Sequence, residues 1–219
     1  MPIKTTLYLI RHGQSAGNAE GRFGGHSATP LSDLGQHQAR VTAKSLLKEK
    51  ITVIYSSDLQ RARQTARALS DLNGLPVKET DVFRERNIGV LEGLTFDEAE
   101  KEFPGDYRAL VDRNVAHIIT KGESYRQLVD RVAKAVDEIL EKHKGGRIAV
   151  FAHTGTICFL TLHLLGALNA DTICTPWIVT SNCGINRFEF RGRNNLRVLS
   201  LNDTRHLSQI SGNDAFAAR

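Results

Sequence analysis

At 219 residues and 41% hydrophobic content, the chain can bury a substantial core as one α/β unit, and it shows neither an internal repeat nor a low-complexity stretch. The net charge of +5 comes from arginines and lysines scattered along helical stretches without interleaved aromatics, which argues against a nucleic-acid surface. Three cysteines without Cys-x-x-Cys spacing exclude a disulfide framework and a zinc site, and no apolar run reaches membrane-spanning length. The start, Met1 to Ile10, lacks the length and cleavage site of a secretory signal, so a cytoplasmic protein with no nucleic-acid or membrane partner is expected, with a homodimer left open.

In chain order, Thr5 to Ile10, Ile51 to Tyr55 and Arg147 to Ala152 are short β-branched or aromatic runs without polar alternation, the pattern of buried parallel strands. Between the first two, Asp33 to Lys48 reads as a helix with Ser32 as N-cap. Asp58 to Leu72 reads as a second helix, with Leu59, Ala62, Ala66, Leu69 and Leu72 on one face and Asn73-Gly74 closing it. Ser124 to His143 opens with the capping-box spacing Ser124-x-x-Gln127 and ends before Gly145-Gly146. Gly155 to Leu165 is apolar almost all round, as in a buried helix, and Gly166 stops it. Gly184 to Phe190 and Leu196 to Leu201 flank Arg191 to Asn195 as a hairpin at a sheet edge. The alternation of strands and helices predicts a three-layer α/β/α sandwich around a mostly parallel central sheet, in a single domain over 1–219.

Ligands of open α/β sheets bind outside the carboxyl ends of the strands. Arg11 and His12 follow the first strand, Arg61 lies in the first turn of the helix after the second, and His153 follows the third. Two guanidiniums and two imidazoles on one rim, without a carboxylate cluster to hold a metal, describe an anion site. The loop after His12, with Gly13, Gly17, Asn18, Gly21, Gly24 and Gly25, can bring backbone N–H groups to an oxyanion, and Asn18 can donate directly. Its glycines do not have P-loop spacing and no Gly-Lys-Ser/Thr follows, so a compact phosphate pocket fits better than a nucleotide cradle.

These residues carry a resemblance to the histidine phosphatase superfamily, in the branch of the cofactor-dependent phosphoglycerate mutases and small phosphatases. Arg11-His12-Gly13-Gln14-Ser15-x-x-Asn18 resembles the opening motif, with Gln14 where glutamate is commoner. Arg22-Phe23-Gly24-Gly25 with Pro30-Leu31-Ser32-x-x-Gly35, and Tyr55 to Ala66 around Arg61, resemble the next two blocks. Phe83 to Gly93 resembles the segment that carries the proton donor, which the resemblance places at Glu85, with Glu92 the competing carboxylate. Ala152-His153-Thr154-Gly155 resembles the second-histidine motif, with Thr154 where glycine is usual.

The resemblance implies a metal-independent phosphatase that needs no cofactor, with His12 as the nucleophile, Glu85 as the acid, and Arg11, Arg61 and His153 around the phosphate. The substrate expected is a small phosphorylated metabolite, contacted by Asn18, Gly24, Gly25, Arg86, Thr154 and His206. The stretch 94–121 is read as a variable lid or specificity segment, and the chain from about 202 as a C-terminal tail. That stretch is shorter than the corresponding insertion of the mutases, which favours hydrolysis over transfer, because enclosing lids exclude water. A mutase dependent on 2,3-bisphosphoglycerate and a non-catalytic binder of phosphorylated ligands remain as alternatives.

Overall fold

The computed structural model describes residues 3–192 and 195–210, so Arg193 and Asn194 of the expected hairpin turn, and the tail beyond 210, lie outside the described residues. Six strands form one sheet in the order β3-β2-β4-β1-β5-β6. Strands β1 (Thr5–Arg11), β2 (Val53–Ser57), β3 (Val77–Thr80) and β4 (Arg147–Ala152) pair in parallel. The edge hairpin of β5 (Ile185–Phe190) and β6 (Leu196–Asp203) adds antiparallel to β1. This is the mixed, mostly parallel sheet flanked by helices that the strand pattern predicts.

Alternation along the buried strands splits the core into two layers. Leu7, Leu9, Ile148 and Val150 face α6 (Tyr125–Lys142) and α7 (Thr154–Leu164). Tyr8, Ile10, Ala149 and Phe151 face α2 (Asp33–Leu47) and α3 (Gln60–Asn73). The predicted caps are present: Ser32 Oγ accepts from the Gly35 N–H, Ser124 and Gln127 close a reciprocal box, and Gly74 ends α3 at φ 73°.

Three departures matter for the site. A short helix, α1 (Ala16–Ala19), interrupts the glycine-rich loop, because Ser15 and Asn18 form a capping box there. Helix α3 begins at Gln60 rather than Asp58, with the Leu59 N–H held by Ser57 Oγ at 3.2 Å. The stretch 94–121 contains two helices, α4 (Phe96–Glu102) and α5 (Pro104–Val111), whose side chains join a third apolar cluster around Phe23, Ile88 and Leu91.

The loop after β1 lies backbone-to-backbone on the first turn of α2. A Cβ on Gly35 would come within 2.0 Å of the Gln14 carbonyl oxygen, and one on Gly13 within 2.5 Å of the Gly35 carbonyl oxygen. Gly35→Ala is therefore expected to destabilise the protein by about 1–3 kcal/mol in denaturant unfolding, the usual cost of overpacking against a backbone that cannot yield. Gly105→Ala, whose added Cβ meets nothing within 4 Å, is the control and is expected to be neutral or stabilising.

Candidate active site

The parallel pairing of β1 with β4 brings the two histidines together. Arg11 is in register with Ala152, so His12 and His153 leave the sheet side by side, their ring centroids 5.1 Å apart. Strand β2 flanks β4 on its other side and ends at Ser57, whose Oγ lies 2.8 Å from Nε2 of His153. Nδ1 of His153 is buried without a partner among the described residues.

His12 is almost fully buried, and its tautomer follows from its neighbours. Nδ1 lies 2.7 Å from the Gly13 carbonyl oxygen, which can only accept, so the proton sits on Nδ1. Nε2 receives the Nε–H of Arg61 at 3.2 Å and so carries the lone pair. Burial, then the charges of Arg61 and Arg11, hold the His12 pKa well below the ordinary histidine value. Burial and the Arg61 charge do the same for His153. Both rings are therefore neutral at physiological pH.

The guanidiniums are solvated by carbonyls. Arg61 donates from Nη1 to Ser27 O at 3.0 Å and from Nη2 to Gly25 O at 2.8 Å, and Arg11 donates from Nη1 to Thr180 O at 2.7 Å. Burial lowers the pKa of Arg61 to about 10, which leaves it charged at neutral pH. The carboxylate of Glu85 sits on the N-terminus of α7. Its Oε1 accepts from the N–H groups of Arg86 at 2.9 Å and Thr156 at 3.0 Å, and its Oε2 accepts from the Gly155 N–H at 2.9 Å.

Arg11, His12, Arg61 and Glu85 open into one cavity of about 270 Å³, with Asn18, Gly24, Gly25, Arg86 and Thr154 also in its wall, while His153 is fully buried and not part of that wall. Glu92 is outside that wall and accepts from the His26 N–H at 3.1 Å. Arg86 is buried against the Tyr125 ring, with its Cζ 3.8 Å from the centroid, and donates to Glu123 O and His117 O. His206 does not line the cavity: its Nε2 lies 2.9 Å from Thr42 Oγ1 on α2. That bond ties the turn Arg205–Leu207 to α2.

Three further residues support the site. Asn182 donates from Nδ2 to the His12 carbonyl oxygen at 3.1 Å, across 170 positions of chain. Thr65 Oγ1 accepts the Gly13 N–H at 3.1 Å; one turn after Arg61, within the same motif, it had a signal in its spacing. The His26 ring lies with Nε2 2.8 Å from the Glu85 carbonyl oxygen.

A family model described as histidine phosphatase superfamily (branch 1) matches residues 7–204. The chain belongs to the histidine phosphatase superfamily. Among its relatives in the superfamily is an Arabidopsis thaliana protein named metal-independent phosphoserine phosphatase, 34% identical over 209 residues, or 94% of this chain and 84% of that one. Phosphoglycerate mutase-like protein 4 of the same plant is 41% identical over 154 residues, 69% of this chain and 67% of that one. The solved structure of a mycobacterial glucosyl-3-phosphoglycerate phosphatase superposes with a TM-score of 0.81 at 28% identity, covering 91% of this chain and 99% of that one.

The depressed histidine pKa values carry a sign. Below pH 6.5 the unfolded chain binds protons that the folded His12 and His153 refuse, so stability is full above that pH and falls as pH decreases. The limiting slope is about 1.4 kcal/mol per pH unit for each ring. In an NMR titration of the substrate-free protein, both rings are expected to stay neutral as the pH passes 6.5; half-titration there would contradict the burial argument.

Proposed function

We propose that His12 attacks the phosphorus of a phosphomonoester through Nε2, with Glu85 as the proton donor. The chain is a metal-independent phosphomonoester hydrolase of the histidine type, acting on small phosphorylated metabolites. The observation that carries the residue assignment is the His12 tautomer: a proton fixed on Nδ1 by Gly13 O and a lone pair on Nε2 at the cavity wall.

In the first step the Nε2–P bond forms as the ester P–O bond breaks, and Glu85, in its protonated form with substrate bound, gives its proton to the departing oxygen. Arg61 moves its Nε–H from Nε2 to a phosphoryl oxygen. Arg11, Asn18 and the unpartnered Nδ1 of His153 hold the others, stabilising charge that builds in the transition state. Asn18 is already oriented for this, since its Oδ1 is engaged by the Ser15 N–H. In the second step water attacks phosphorus, Glu85 takes the water proton, and the N–P bond breaks to release inorganic phosphate and neutral His12.

Gly24, Gly25 and Thr154 belong to the phosphate-side wall in this reading, and Arg86 supplies a substrate-facing cation through Nη1, which has no partner among the described residues. The segment 94–121 is the specificity wall, supported by Phe96, Tyr107, Leu110 and Arg113 lining the same cavity. A cytoplasmic setting is supported by Cys158, Cys174 and Cys183 all being free thiols. No helix of the described residues is long and apolar enough to cross a membrane.

Rapid quench with a labelled phosphomonoester is expected to trap an acid-labile phosphoenzyme in the wild type and none in His12→Ala, whose kcat falls by at least ~10³-fold. Glu85→Gln is expected to lose most activity toward alkyl esters and less toward esters with acidic leaving groups, which need no proton. Near-normal turnover by His12→Ala would overturn the mechanism. Conversion of 3-phosphoglycerate to its isomer in the presence of 2,3-bisphosphoglycerate, without release of phosphate, would make the enzyme a mutase.

A further inference from the structure

Beyond the phosphate-binding rim the cavity continues outward into a chamber walled by Phe23, Ile88, Phe96, Tyr107, Leu110 and Trp177. Its wall is mostly hydrocarbon and aromatic ring. A polyhydroxylated substrate body placed there would leave hydroxyl groups without partners, whereas an apolar body would lose nothing on leaving water.

The chamber is not purely apolar, because Arg113 enters its wall. The backbone of Arg113 is left-handed, with φ 55°, a conformation that L side chains rarely adopt. The turn that forces it ends α5, with the Arg113 N–H on Leu110 O at 3.2 Å and the Asn114 N–H on Ala109 O at 2.9 Å. The Val115 N–H then bonds Ile173 O at 2.8 Å, and Asn114 bridges to Cys174, which draws this turn onto the loop that carries Trp177. The guanidinium comes to rest 5.7 Å from the Trp177 ring centroid. Among the described residues it has no hydrogen bond or ion pair, unlike its neighbours Arg108, paired with Asp112, and Arg126, bonded to carbonyls of the loop at 169–172.

An aromatic ladder backs the chamber from the inner cation to the outer one. Tyr125, under Arg86, stacks on Phe159 at 3.9 Å, and Phe159 meets Trp177 edge-on at 6.3 Å. Arg86 is therefore held at the inner, phosphate-side end of the cavity, while Arg113 lies half-buried at the far end. A guanidinium near an aromatic ring in a partly buried wall is suited to a planar bidentate anion.

We propose that this chamber selects phosphomonoesters with a flat apolar body that carries a carboxylate distal to the phosphate, and that Arg113 receives that carboxylate. The proposal rests on the hydrolase reading above. It names a substrate chemistry for a part of the cavity to which that reading gives no specific partner.

The test compares kcat/KM for phenyl phosphate, 4-(phosphonooxy)benzoate and glycerol 3-phosphate in the wild type, Arg113→Met and Arg113→Lys. The wild type is expected to prefer the benzoate to phenyl phosphate, and both aryl esters to glycerol 3-phosphate. The benzoate-over-phenyl ratio is expected to fall about tenfold in Arg113→Met, the scale of one charge-assisted hydrogen bond, and to recover in part in Arg113→Lys. A ratio unchanged by Arg113→Met would overturn the assignment of Arg113, and a wild-type preference for glycerol 3-phosphate would overturn the apolar chamber. Those failures differ from failure of the hydrolase reading, in which none of the three esters would release phosphate or form a phosphoenzyme.

Discussion

The hydrogen bond between His12 Nδ1 and the carbonyl of Gly13 is the contact on which the site depends. It fixes a neutral imidazole with its basic nitrogen toward the cavity, and it exists only because the Gly13 backbone is itself clamped. Gly35 presses on it from α2, Thr65 takes its N–H, and Asn182 holds the preceding carbonyl. A Cβ at either glycine would overlap the facing backbone and force the loop and the helix apart. The proposed nucleophile is therefore prepared by packing distant in sequence, with no acidic residue among the described residues hydrogen-bonded to its ring.

Two buried guanidiniums beside that ring would be costly in isolation, since desolvating one cation costs several kcal/mol even after relaxation. Backbone carbonyls of Gly25, Ser27 and Thr180, and the field of Glu85 on Arg61, offset the cost in part. In the proposed mechanism a phosphate dianion entering between them completes the compensation. The same low-dielectric surroundings that keep His12 neutral make the attraction for phosphate strong, so affinity and nucleophilicity share one cause.

Glu85 is placed by a different device. Its carboxylate caps the first turn of α7, so the helix that follows His153 positions the proposed acid as well. A Cβ at Gly155 would lie 2.6 Å from the Glu85 carboxylate, so a side chain there would push that carboxylate from its present position. Thr154, the departure from the family pattern, contributes to the cavity wall one residue earlier and leaves that cap in place. The rim is thus built from backbone geometry that the fold fixes, while the outer chamber is built from side chains of α4, α5 and the Trp177 loop.

Much of this was legible in the sequence. Buried strands are continuous apolar runs, caps are local hydrogen bonds, and Arg11, His12, Arg61 and His153 each sit at a strand end or in the turn that follows one, so local pattern was enough to predict the layers and the rim. It could not reveal the strand order, because nothing local says that β4 inserts between β2 and β1, and that insertion alone sets His153 against both His12 and Ser57. Nor could it find Asn182, Thr180 or Arg113, whose roles come from contacts across the sheet or from a left-handed turn. It could not show that His206 is tied to Thr42 rather than to the cavity. The sequence by itself determined which chemistry the rim can perform, since that depends on residue types at strand ends. Only the tertiary structure decided the histidine tautomer, the setting of the acid and the shape of the outer chamber, because each depends on groups brought together from segments far apart in the chain.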